Sequence, residues 1–503
     1  MVSEETLYLT VAELGPQIKE KKLSPVELTR AYLDRLEKYG PKLGAVATLM
    51  AEPAMAEAQK AEAEIRKGDY RGPLHGIPYG AKDLLATKGV PTTWGAPPFK
   101  DQVFDYDATV IRRLREAGAI LIAKLAMIEL AGGGGYRNAA ASLQGPSRCP
   151  FAPDFWAGGS SSGPGTAVPS ALVGFAIGSE TQGSIITPAA FSGVSGLRPT
   201  YGRVSRAGAM ALSWTMDKLG PMCRSAVDCA LVLEAIAGQD AADASSLPES
   251  EFRTRGSFAG RALRSPGRLF RREKAPSLAG MKLAVVRPDF ERGGNEEVKK
   301  AFEAAIETLR GLGASLVDAE MPDLPYGPVS SATISCEGAT IFRPLIESGK
   351  VQELLDENQK TGLIAALAIP AADYLDACRV RAKMQVEVGK MFEVFDALVA
   401  PSRTTLASPI DQDFGGPPAA RPGAPERSEA ERRAETSRGN KSNVIGSSNL
   451  CGLPAISVPC GYAKDNRPVG VQFVADAMRD DVCLDLAATF QAATEFHTKR
   501  PSL

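Results

Sequence analysis

Histidine is almost missing from this chain: among 503 residues only His75 and His497 carry an imidazole, and they stand near opposite ends. A two- or three-histidine metal site is therefore all but ruled out, and the commonest general base is nearly unavailable. Charge of one sign is lacking too. With 58 Lys+Arg against 59 Asp+Glu the formal net charge is -1, which gives no electrostatic reason to expect nucleic acid or an anionic membrane as partner. No apolar run approaches a membrane span; GLIAALAIPAA at 362–372 is far too short. The N-terminal MVSEETLYLT has neither the basic nor the apolar region of a secretory signal. The eight cysteines are scattered and form no CxxC pair, so reduced, mostly buried thiols in a cytoplasm fit best.

What is present is ordinary globular composition, 44% hydrophobic and 23% charged, with ample material for a core. Residues 25–69 read as helices: Ser24 stands as an N-cap before Pro25, and AEPAMAEAQKAEAEIRKG is rich in Ala and Glu. Residues 1–70 are thus expected to form an N-terminal helical segment packed on the core. Farther on, ATVIRRLREAGA leads into ILIAKL, and VKKAFEAAIETLRGLGA into SLVDAEM. Alternation of this kind predicts a largely parallel sheet covered by helices. Two stretches break the pattern, the basic 248–276 and the Pro-, Gly- and charge-rich 411–438. Both read as surface insertions or loops (240–278 and 411–438) in one domain spanning 1–503, and a solvated face explains the basic 253–274 better than nucleic-acid contact does.

The stretch WAGGSSSGPGT, Trp156 to Thr166, could cradle a phosphate, link domains or hold a reactive group. Gly158 and Gly163 have the spacing of a phosphate loop, but Pro164 stands where the lysine belongs, and that reading fails. Downstream, the apolar ALVGFAIG runs into SETQGS and then a helix beginning near Ile185. Ser184 therefore falls at a strand-to-helix turn, where the backbone N–H groups of Thr181, Gln182, Gly183 and Ser184 could face a developing oxyanion. An N-cap serine is the plainer explanation of the same spacing. A nucleophilic serine needs a base, and with histidine scarce a lysine is the next candidate. Lys82, in GIPYGAKDLLATKG, follows a short apolar segment; burial would lower its pKa and let it accept a proton, although alone it reads more readily as half of a structural ion pair.

Together, Lys82 in PLHGIPYGAKD, Ser160 in AGGSSSG and Ser184 in GSETQGSIITPAAFSGVSGLRPTYGRVSR resemble the amidase signature family. The interval from Ser160 to Ser184 matches that family's spacing, and the likeness continues through KLAMIEL, NAAASLQGPSRCPF, MDKLGPMCRSAVDCALVLEAIAG and SNLCGLPAISVPCG. The resemblance implies an α/β fold with one large mixed sheet covered by helices on both faces. It also implies that Ser184 is the nucleophile, that Ser160, reached through a cis Gly159–Ser160 peptide, passes its proton to neutral Lys82, and that Ser161 helps orient the lysine. Met127, Tyr136, Trp156 and Arg206 are candidates for the substrate pocket, and the apolar GLIAALAIPAADYL for its mouth.

Departures sharpen the reading. Where many members of the family have an arginine two residues after the nucleophile, this chain has Ile186, so Glu180 needs another partner or solvent. The motif by which the glutaminase component of tRNA-dependent amidotransferases binds glutamine is missing from 336–385. The resemblance therefore favours a stand-alone hydrolase of amides, anilides or carbamates (urethanes), with that glutaminase component as the alternative and a binding protein on a dead scaffold as a third reading. A small-molecule amide or carbamate is the expected partner, with no metal, cofactor, nucleic acid or membrane. A homo-oligomer is compatible with all of this.

Overall fold

The computed structural model describes residues 2–251, 277–288, 290, 294–414 and 429–503. Thirteen strands are present among them: β1 (Val46–Leu49), β2 (Pro78–Lys82), β3 (Ile120–Leu125), β4 (Arg148–Cys149), β5 (Ala152–Trp156), β6 (Phe175–Glu180), β7 (Ser195–Arg198), β8 (Lys218–Cys223), β9 (Lys282–Val286), β10 (Ser315–Ala319), β11 (Ala397–Pro401), β12 (Ala455–Tyr462) and β13 (Pro468–Ala475). Eleven of them form one sheet in the order β1-β3-β2-β6-β8-β7-β12-β13-β11-β9-β10, and β4 and β5 pair separately.

The sheet is mixed, as the family resemblance implies, and not largely parallel as the alternation of helix and strand patterns suggested. Parallel pairing is confined to β3-β2-β6 and to β11-β9-β10. Between them β6, β8, β7, β12, β13 and β11 pair antiparallel in succession. The physical reason is connection length: β12 and β13 are joined by the tight turn 463–467, which only an antiparallel pair allows.

The predicted helix–strand units form. Thr109–Glu116 buries Val110, Ile111 and Leu114 and leads into β3, all six of whose residues are buried. Glu296–Gly311 is capped by the Asn295 side chain, which accepts from the Glu297 and Val298 N–H groups, and it buries Val298, Phe302, Ile306 and Leu309 at helical spacing before β10. Each such apolar side chain contributes about 1.5–3 kcal/mol on burial. The N-terminal segment departs from expectation in one respect. Ser24 caps the helix Pro25–Leu43 and Ala51–Lys67 is helical, but between them lies β1, antiparallel to β3 at the sheet edge. The basic 253–274 lies outside the described residues; of 411–438, residues 429–438 begin the helix Glu429–Lys441. Among the described residues no helix is long and apolar enough to cross a membrane.

Candidate active site

Lys82 is the last residue of β2, and the parallel neighbour β6 runs beside it with Ala81 opposite Ile177. The carboxyl ends of both strands therefore open on one edge of the sheet, the edge at which open α/β sheets place ligands. Ser160 reaches this edge from the loop between β5 and the helix Ser162–Ala167, through a cis Gly159–Ser160 peptide. The loop is pinned to the sheet by Ser161, whose hydroxyl accepts from the Ser179 N–H (3.2 Å) and donates to the Ser179 carbonyl (3.0 Å). Such closeness requires a small residue in β6: a Cβ at Gly178 would lie 3.0 Å from the Ser161 Oγ.

Lys82 Nζ meets three hydroxyls, those of Ser160 at 2.8 Å, Ser161 at 3.1 Å and Ser179 at 2.8 Å. Among the described residues it makes no ion pair, so the structural-pair explanation does not hold. Lys124 on β3 is a control within the same molecule, equally buried but 3.0 Å from the Asp83 carboxylate. Burial lowers the Lys82 pKa to about 7 against the upward pull of the Asp217 and Glu180 charges. Desolvation dominates because it disfavours the ammonium and no contacting carboxylate compensates.

After β6 the chain turns through Thr181, Gln182, Gly183 and Ser184 into the helix Ile186–Ser192. Gly183 has φ +91°, a left-handed conformation natural to glycine. Glu180 Oε2 accepts from the next two backbone groups, Ile185 N–H (2.7 Å) and Ile186 N–H (2.9 Å). Among the described residues nothing accepts from the N–H groups of Gln182, Gly183 or Ser184, and the half-buried Ser184 is tied by its carbonyl to the Ser161 N–H at 3.2 Å. The arginine that Ile186 replaces has a substitute. Arg198 on β7 donates to Glu180 Oε1 at 2.8 Å and Asn449 donates to the same oxygen at 2.9 Å. Burial alone would raise the Glu180 pKa, but Arg198, Lys218 and the Ile186 N–H outweigh it and hold the carboxyl below its ordinary range.

Two cavities flank this turn. One, about 180 Å³, is walled by Leu84, Met210, Leu212 and Trp214 with Ser179 and Thr181 at its inner end, and it includes Arg206. The other, about 310 Å³, is polar and includes Gln182 and Arg403. Of the pocket candidates, then, Arg206 lines a cavity. Tyr136 and Trp156 pack edge to face, 6.0 Å between centroids, with Phe414 stacked 4.9 Å from Trp156. This cluster abuts the loop before Ser160, since a Cβ at Gly159 would lie 2.8 Å from the Trp156 ring. Met127 is fully buried and lines neither cavity. The segment GLIAALAIPAADYL also lines neither: Leu363 is buried against Gly134, and Ile364, Leu367 and Leu375 face solvent.

The sequence did not single out Ser179, Arg198, Asn449 or Asp217. Asp217 takes the Thr181 hydroxyl at 2.6 Å and the Leu212 and Ser213 N–H groups, which ties the turn to the wall of the smaller cavity. The one available signal was charge inside short, otherwise apolar or small-residue strands, as for Arg198 in SGLR.

Neither histidine is in this group of residues: buried His75 contacts Glu64, and His497 is near the C-terminus. Among the described residues no cluster of His, Cys, Asp or Glu could hold a metal ion. All eight cysteines are free.

Comparison with known proteins agrees with this architecture. The family model described as Amidase matches residues 27–484. The A component of the glutamyl-tRNA(Gln) amidotransferase of Moorella thermoacetica is 34% identical, with 99% of each chain covered. Among solved structures, the native peptide amidase of Stenotrophomonas maltophilia is 29% identical with a TM-score of 0.80, covering 98% of each chain. A chain from a vestigial protein complex connected with the origins of an s-triazine catabolic enzyme is 25% identical with a TM-score of 0.81, covering 98% of this chain and all of that one. The chain belongs to the amidase (amidase signature) family of hydrolases.

Proposed function

We propose that this chain hydrolyses carboxylic amide C–N bonds, anilides and carbamates included, through an acyl-enzyme on Ser184. Ser184 Oγ attacks the carbonyl carbon, its proton moves to Ser160 Oγ, and the Ser160 proton moves to Lys82. The new C–O bond leaves an oxyanion facing the N–H groups of the turn from Thr181 to Ser184. As the intermediate collapses, the C–N bond breaks and the proton returns through Ser160 to the departing amine. Water then repeats the relay, releasing the acid and restoring Ser184.

The observation that carries this reading is the set of contacts around Lys82. A neutral amine has two N–H donors and one lone pair, so it can satisfy three hydroxyls by donating to two and accepting from Ser160, where an ammonium would want counter-charge. A pKa near 7 makes that neutral form available at ordinary pH. Ser161 and Ser179 hold the amine in place.

The apolar walls of the smaller cavity favour an aryl or alkyl group on the substrate. A second reading has a specific basis, the 34% identity to the A component of an amidotransferase, in which case glutamine would be the substrate and the chain would need a partner. One experiment separates them. The purified chain should react with a covalent serine probe, lose that reaction in Ser184→Ala, and turn over an aryl anilide or aryl carbamate with higher kcat/KM than glutamine. Glutamine winning, or activity appearing only with a second protein and a charged tRNA, would replace the stand-alone reading.

A further inference from the structure

The larger cavity beside the turn, about 310 Å³, lies beyond the carboxyl ends of β9 and β11 and touches the reacting region directly. Gln182 is in its wall, and a Cβ at Gly183 would stand 3.4 Å from the side chain of Ile445, another wall residue. Whatever fills the cavity is thus beside the turn that carries Ser184.

Its electrostatics are one-sided. Arg403, two residues past the end of β11, is the only charged side chain in the wall among the described residues; the other polar groups there are neutral hydroxyls and amides such as Ser402, Asn443 and Gln472. Arg403 is exposed, and among the described residues no carboxylate pairs with it. Arg206 in the smaller cavity is different, being held by Asp243 and by the Trp214 carbonyl. A guanidinium in the wall of a cleft, with no counter-charge among the described residues, matches a carboxylate.

Gln472 is the second, independent observation. It sits on β13 and is 1% exposed, and its Nε2 donates to the Pro401 carbonyl at 3.0 Å. Because a carbonyl can only take a donor, that bond fixes which end of the amide is oxygen. Its Oε1 is buried and has no protein partner among the described residues. A buried acceptor in this state, in the wall of a cavity, is open to a donor from a ligand or a water.

We propose that Arg403 and Gln472 form a subsite for a substrate carboxylate and a neighbouring N–H, so that the chain selects amides bearing a carboxylate a few atoms from the scissile carbonyl. This rests on the amide-hydrolase reading and narrows its substrate class: an apolar part in the smaller cavity, an anionic part here. It also separates the substrate from free glutamine, whose α-ammonium would face Arg403 with no acidic side chain in the wall to offset it.

The test has a kinetic and a binding arm. Glutaramate against butyramide places the carboxylate on the acyl side, and N-benzoylglycine against N-benzoylethylamine places it on the amine side. In one of these pairs the charged member should have a kcat/KM at least about tenfold higher, an advantage that weakens with salt. In Arg403→Gln the ratio should fall to within about threefold, and Arg403→Lys should restore part of it. Glutaramate should also outperform glutamine. Equal rates within both pairs, unaltered by Arg403→Gln, would overturn the subsite while leaving amide hydrolysis standing. The binding arm needs no turnover: on Ser184→Ala protein, calorimetry should show glutaramate binding more tightly than butyramide, with the difference removed by Arg403→Gln and reduced by Gln472→Met. If no amide is cleaved but this binding pattern holds, the hydrolase reading fails and the anion site stands; if the binding difference is missing, the site is refuted.

Discussion

Replacing Lys82 by methionine tests the electrostatic core of the mechanism without an activity assay. The substitution keeps the length of the side chain and removes the charge, but it also leaves the Ser160, Ser161 and Ser179 hydroxyls without their shared partner, at a cost of about 1 kcal/mol each. The absolute change in stability mixes these opposing effects. Its dependence on pH does not. Lys82 has a folded-state pKa of about 7 against an ordinary value of 10.5, so between those limits the unfolded chain binds a proton that the folded chain does not. Wild-type stability therefore gains about 1.4 kcal/mol per pH unit from this one group as pH rises through the window, while below it both states are protonated and the full penalty applies. From about pH 7 to 9.5 that is roughly 3.4 kcal/mol, absent in the variant. With 503 residues and an unfolding entropy of about 2.1 cal/mol/K per residue, the entropy is roughly 1 kcal/mol/K, which converts the gain to about 3 °C. The variant-minus-wild-type difference in thermal midpoint, measured by scanning fluorimetry in matched buffers, should thus fall by about 3 °C across that range. A difference independent of pH would mean that Lys82 keeps its ordinary pKa, and the relay would lose its base.

Three further outcomes are expected. kcat/KM should rise with an apparent pKa near 7, because only neutral Lys82 can take the proton; an optimum below about pH 6 would point to a carboxylate base. Arg198→Leu should strand the buried Glu180 carboxylate and cost about 3–5 kcal/mol, seen as a fall of several degrees in thermal midpoint, whereas a shift under about 1 °C would show that Asn449 and Lys218 suffice. Gly183→Ala, forced into φ +91°, should misplace the turn's N–H groups and lower kcat by roughly 10² while moving the midpoint only slightly; unchanged kcat would remove those N–H groups from the reaction.

Much of this was legible in the sequence because local rules governed it. Ser24 caps the helix it precedes, the ILIAKL run is a strand buried on both faces, and the β6-to-helix turn falls where polar SETQGS interrupts apolar residues. What failed was long-range. Helix–strand alternation says nothing about strands inserted between their neighbours, so β8, which separates β6 from β7, was invisible, and with it the antiparallel middle of the sheet. For the same reason Arg198 could not be matched to Glu180: the pair joins strands that are not adjacent, and Asn449 comes from beyond both. The apolar 362–375 segment misled because apolar character does not say which neighbour a side chain will meet; Leu363 turns inward to Gly134 and Leu375 outward to solvent.

The polar cavity has a consequence for how such an enzyme diversifies. Lys82, Ser160 and Ser184 all belong to the first half of the chain, whereas apart from Gln182 every wall residue of that cavity comes from position 286 onward. The two stretches meet where Gly183 faces Ile445. The proposed relay and the proposed carboxylate subsite are thus inherited on separate lengths of gene, whereas the smaller, apolar cavity travels with the relay. A mutant library restricted to 400–404 and 442–446 would vary the proposed carboxylate subsite while every clone kept Lys82, Ser160 and Ser184, and recombining second halves between relatives would exchange that subsite alone. A library over 156–187 would return mostly inactive protein.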